Sequence, residues 1–180
     1  MIGATVLFAA PVLAGVAIGY LGRGRLPALA GRLRALWLLW LAVLIQAGQF
    51  YLGDDLGGIP MLVLVFGTVL AWLALNIRHW PVAARVAAGI VFLGAFLNAA
   101  AIAANGRMPY SASAAAQVGL PTSEVTAKNA PAGDGTELGF LGDVIPVAPL
   151  HKLVSVGDLL IAAGAAALVA TLMRPGSRAT

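Results

Sequence analysis

A chain of 180 residues that is 61% hydrophobic and only 10% charged lies far from the soluble pattern of about 25% charged residues. Most of it must sit in lipid, as one compact helical unit rather than several domains. Cysteine is absent, which excludes disulfides, thiolate catalysis and cysteine-ligated metals or iron–sulfur clusters. The net charge of +4 comes from arginines beside apolar runs. No soluble segment carries a basic stripe with interleaved aromatics, so nucleic acid is not an expected partner.

A membrane span needs roughly 20 apolar residues, with about 17–25 tolerated. The first qualifying run is 2–22. No cation precedes it, while Arg23, Arg25, Arg32 and Arg34 follow. A secretory signal has the opposite order, so a retained span is expected. The second run, 35–52, opens on Trp37 and Trp40 and closes on Phe50 and Tyr51. Gln46 and Gln49 lie three apart in it, on one helical face. The third run, 59–77, contains Trp72 and is followed by Arg78, His79 and Trp80. The fourth, 83–104, holds Arg85 one turn in, where a long side chain can snorkel to the headgroups. Asn98 and Asn105 are seven apart on one face near its far end. The fifth run, 154–173, carries Asp158 in its first turn and ends on Arg174, with Arg178 beyond.

The fourth and fifth runs are separated by 105–152, which breaks the apolar pattern with Pro109, Pro121, Pro131, Pro146 and Pro149. Asn105-Gly106-Arg107-Met108-Pro109 reads as a helix stop, with Asn and Gly suited to a left-handed C-cap. An exposed loop is expected over 121–137. The apolar piece 138–147 is too short to span and is expected in the interface or folded back against the bundle.

Most of the cations fall in alternate loops, after the first and third runs and in the tail. Asp54, Asp55 and the mixed segment 105–152 occupy the others. The positive-inside rule then places the N-terminus outside and the C-terminus in the cytoplasm. Trp37, Trp40, Trp72 and Trp80 are expected as headgroup-level anchors on the inner side. Runs one, four and five are rich in Gly and Ala, including Gly15-Val-Ala-Ile-Gly19, which suits close helix packing. The fold expected is an all-α membrane protein, a five-transmembrane-helix bundle with an ordered outer segment between helices four and five.

A polar side chain in hydrocarbon needs a partner, so polar groups at a common depth mark a site or a specifying network. Gln46, Gln49, Asn98, Asn105 and Asp158 come from three runs and share the outer level under this orientation. Ser155-Val-Gly-Asp158 also matches a capping box, in which Asp158 meets the positive end of the helix dipole. Arg107, Asp143 and Ser155 complete the candidate ligand-binding set. His79 and His151 fall on opposite sides of the membrane, and His151 with Asp143 and Asp158 has no recognised metal spacing. No nucleophile triad, phosphate loop or metalloprotease helix is present. No catalytic residue, metal or cofactor is therefore expected. Arg23-Gly-Arg25 and Arg32-Leu-Arg34 favour anionic headgroups, with topology setting as their first role.

Two stretches, Asn98-x6-Asn105-Gly-Arg-Met-Pro109 and Leu141-Gly-Asp143-Val-Ile-Pro146 leading into Ser155-Val-Gly-Asp158, resemble a family of small integral membrane proteins of actinobacteria and their relatives. That family is classed as a domain of unknown function. Its pattern has a second Gly where this chain has Arg107. The resemblance implies the same membrane fold and polar positions, and no activity.

The function expected is non-enzymatic: binding of a lipid-like or small amphiphilic ligand, or of a partner protein, at the outer face of a bacterial plasma membrane. Phe140, Leu141 and Ile145 would cover an apolar ligand. One alternative is an accessory subunit of a larger membrane complex. The other is a membrane enzyme or proton-coupled transporter using Asp158.

Overall fold

The computed structural model describes residues 2–52, 58–126 and 128–174, with side chains described except at 2–8, 49–52 and 58–62. Helices occupy all the apolar runs: α1 (Ile2–Leu21), α3 (Leu36–Leu52), α4 (Gly58–Ile77), α5 (Val82–Asn105) and α7 (Val156–Met173). A short helix, α2 (Leu26–Arg32), precedes α3 and meets it at 84°. At 1.5 Å rise per residue, α5 is about 36 Å long and α7 about 27 Å. Among the described residues, α5 and α7 are long and apolar enough to cross a membrane. The α2–α3 pair adds a third span if it is counted as one broken helix. The apolar stretches Ala9–Leu21 and Val63–Ile77 are shorter.

Helix α7 is central. It packs against α5 on one side and α1 on the other, while α3 pairs with α4. Small residues make those close approaches. On α5 the buried positions Ala84, Ala87, Ala88, Gly94 and Ala101 recur at helical spacing. On α7, a Cβ at Gly164 would lie 2.7 Å from Val91 Cγ2 and 2.9 Å from Ala87 O. On the other side, a Cβ at Gly15 of α1 would meet Ala166 O at 2.6 Å. Without a hydrophobic drive between helices in lipid, such backbone proximity is what binds them.

Connections and helix ends at one end of the bundle carry the described arginines other than Arg107. There the last carbonyls of α7 are capped from α2: Arg25 N donates to Met173 O at 2.8 Å, and Arg32 Nη1 to Leu172 O at 3.3 Å. A cation at a helix C-terminus also suits its dipole. Leu38, Trp72, Trp80, Ala84, Ala88 and Leu172 form a core cluster at this arginine end. Trp72 and Trp80 pack edge to face with ring centroids 5.5 Å apart. Both rings are buried, whereas Trp37 and Trp40 are 64% and 69% exposed. The expectation of four headgroup anchors is thus corrected for two of them. Trp80 turns inward because its Nε1–H finds an acceptor at Arg32 O, 3.0 Å away. Trp72 Nε1 meets no acceptor among the described residues.

The opposite end is closed by a cap built from 106–155. Gly106 ends α5 at φ +73°, the left-handed conformation that glycine adopts without strain. Strand β1 (Met108–Tyr110) pairs in parallel with β2 (Asn129–Pro131), and β3 (Ile145–Val147) pairs antiparallel with β4 (Lys152–Val154). A short helix α6 (Ala112–Gln117) lies between β1 and β2. An all-α expectation missed these strands. A proline-broken segment cannot satisfy its backbone by helix alone, and short ladders supply the missing partners. The piece 138–147 folds back onto the bundle: Leu141 is buried against Ala101 and Met108, while Phe140 stays exposed.

Candidate functional site

Ser155 is the N-cap of α7, held extended at φ −94°, ψ 168° by the strand before it. Its hydroxyl accepts from Asp158 N at 2.9 Å, and the Asp158 carboxylate (Oδ2) accepts from Ser155 N at 3.0 Å. That is the capping box expected from the sequence. Asn98 enters from α5 and locks onto it. Its Nδ2 donates to Asp158 Oδ1 at 2.8 Å, and its Oδ1 accepts from Ser155 Oγ at 2.8 Å. The three side chains satisfy one another in a closed ring, with Ser155 fully buried. Gly157 makes the approach possible, since a Cβ there would overlap Asn98 Oδ1 and sit 2.6 Å from Gly94 O.

Above this ring lies Asp143. Its backbone is tied into the cap, with Asp143 N donating to Pro109 O at 2.8 Å and Asp143 O accepting from Ser111 N at 3.1 Å. Its carboxylate accepts from Asn129 Nδ2 at 2.9 Å. Burial, reinforced by the charge of Asp158, pushes the Asp143 carboxyl up to about 7, against the opposing Asn129 hydrogen bond. A second clip holds the loop before it. Asn105 Nδ2 donates to Glu137 O at 2.7 Å, and Glu137 N donates to Asn105 Oδ1 at 3.0 Å. His151 Nδ1 lies 2.9 Å from Val118 O. Among the described residues, no group of three or more His, Asp or Glu is placed to hold a metal ion.

The arginine end has its own polar anchor, which the sequence reading passed over. Asn76 of α4 is fully buried. It accepts from Arg34 N at 2.8 Å and donates to Arg34 O at 3.0 Å and to Trp72 O at 2.8 Å. Around it, Arg34 Nη1 lies 2.9 Å from His79 Nε2, and Arg85 Nε donates to Trp80 O at 2.9 Å. The signal was present: an amide inside an apolar run beside Arg78, as telling as Asn98 in its own run.

A family model matches residues 31–170. The chain belongs to DUF5317, a family of unknown function. No curated protein and no solved structure matches the chain. The DUF5317 match takes in both polar anchors and the two stretches on which the resemblance was drawn. It leaves out α1 with Arg23 and Arg25.

Of the expected site residues in this DUF5317 chain, Asn98, Ser155 and Asp158 are in direct contact, with Asp143 close enough to feel the charge of Asp158. Asn105 serves the separate clip to Glu137. Arg107 is exposed on the turn after α5. Gln46 is half-buried on α3, which packs chiefly on α4 and not on the α5–α7 pair that carries the ring. The Gln49 side chain, the Phe50 and Tyr51 rings, Asp54, Asp55 and Arg178 lie outside the described residues.

Proposed function

We propose that this DUF5317 protein is a non-enzymatic, five-span protein of a bacterial plasma membrane, N-terminus outside and C-terminus in the cytoplasm, whose cap engages a partner protein on the outer face. The observation that carries this reading is the closed Asn98–Ser155–Asp158 ring. Its polar atoms are taken up by one another, so the ring fastens the cap to α5 and α7 rather than offering a head-group pocket. Two more features fit. The Arg25, Arg32, Arg34 and Arg85 side of the bundle is opposite the cap, as the positive-inside rule requires of a cytoplasmic side. Phe140, 69% exposed, and Leu138, 41% exposed, lie two residues apart on the cap outside every span. Large aromatic and aliphatic groups left bare on an extramembrane surface suit the core of a protein interface.

A photo-crosslinking residue at Phe140 in intact cells tests this. A discrete protein adduct, identified by mass spectrometry and lost when Leu138→Asp is added to the crosslinking chain, supports the reading. Adducts to lipid alone would replace it with the lipid-like ligand.

A further inference from the structure

The described carboxylates, Glu124, Asp134, Glu137, Asp143 and Asp158, all belong to the cap and the first turn of α7. At the arginine end, among the described residues, the guanidinium groups meet neutral acceptors. Arg85 bonds to the carbonyls of Trp80 and Arg78, at 2.9 and 3.4 Å. Arg34 bonds to the imidazole of His79. A guanidinium has donors and no acceptor, so in this contact the hydrogen comes from Arg34. Among the described residues, those contacts fix where the positive charge sits and put no carboxylate against it.

The place is built, not incidental. Buried Asn76 grips both the N–H and the carbonyl of Arg34, and buried Trp80 donates to Arg32 O. Two side chains from one helix–turn unit therefore set the backbone of the Arg32–Arg34 link. Arg34 leaves it beside His79 on the turn that also carries Arg78. Exposed Trp37, three residues on from Arg34 along α3, marks the level at which indole rings meet headgroups.

We infer that the Arg34–His79 pair, flanked by Arg78 and Arg85, binds the phosphate group of an anionic membrane phospholipid. The remaining N–H groups of Arg34 supply directed donors to phosphate oxygens, an arginine fork suits that geometry, and His79 holds the guanidinium in place. The two flanking arginines add charge. This rests on the membrane location alone and is independent of which side faces the cytoplasm and of any partner at the cap.

The test is native mass spectrometry of the full-length protein in mild detergent, titrated with phosphatidylglycerol or with phosphatidylcholine of the same chain length. One phosphatidylglycerol should be retained per chain, in preference to phosphatidylcholine. Arg34→Gln and His79→Ala should each weaken retention about fivefold or more, while Arg174→Gln at the same end leaves it unchanged. Asn76 and Trp80 hold only backbone atoms of the link, so Arg34→Gln spares their contacts; if it still fails to fold, His79→Ala carries the test. Equal losses in Arg174→Gln would overturn the site in favour of a diffuse basic field. So would displacement of the lipid by millimolar inorganic phosphate, which would make it a site for a free anion.

Discussion

At the cap end Asn98 bonds side chain to side chain, with Asp158 and Ser155, whereas at the arginine end Asn76 bonds to backbone, at Arg34 and Trp72. The first arrangement joins two helices and depends on how closely they approach. The second joins a helix to an extended link and depends on the path of that link. The same residue type in two apolar runs thus does different work. At one end polar groups are spent on each other; at the other they position a charge that stays available.

The largest test of this contrast is Gly157→Ala. The new methyl would overlap the Asn98 amide and press on Gly94 O at 2.6 Å, both part of the tightest α5–α7 contact. Overpacking of this kind costs about 3 kcal/mol, and here it also opens the ring. A fall in melting temperature should come with faster tryptic cleavage at Lys128 and Lys152 in the cap. Tryptophan emission from the arginine end should hold at temperatures below the melt. A neutral Gly157→Ala would mean that the ring does not depend on helix proximity.

Asn76→Ala should be smaller and opposite in place. It leaves the N–H and carbonyl of Arg34 without their partner, at about 2 kcal/mol. Emission of Trp72 and Trp80 should shift and cleavage at Arg32 and Arg34 should rise, with the cap unchanged. If Asn76→Ala loosened the cap instead, the two ends would be one cooperative unit and the contrast would fail.

How much of this was legible beforehand follows from range. The helices lie over the apolar runs because that signal is local and long. Ser155 and Asp158 were readable as a capping box, and Gly106 as a helix stop, because both motifs are set within a few residues. The bond from Asn98 to that box spans two distant segments, and sequence could show only that both lay at a common depth. Gln46 met the same depth criterion yet rides on α3, which chose α4 as its neighbour; depth says nothing about rotation or pairing. The strands of the cap were illegible for a different reason. Three-residue ladders such as β1–β2 carry no period, and their partner is fixed by the fold around them. The family model and the resemblance agree on where the chain belongs, and neither supplies an activity that could have ranked these polar positions.

The last expected effect is the one that separates the ends by pH. Asp143 ionises at about 7 in the fold against an ordinary 3.8. Between those values the folded protein holds a proton that the unfolded chain has released, so stability falls as pH climbs through that window and the penalty is complete above it. Asp143→Asn removes the ionisation and keeps a carbonyl to accept from Asn129 Nδ2. It should raise the melting temperature near pH 8, with the gain shrinking towards pH 4. Arg34 and His79 lie at the far end, so phosphatidylglycerol retention should not change with this substitution at either pH. A gain independent of pH would show that Asp143 strains the cap by its shape and not by its charge. The acidic layer over the ring would then be ordinary packing, and the electrostatic half of the contrast between the two ends would rest on the arginines alone.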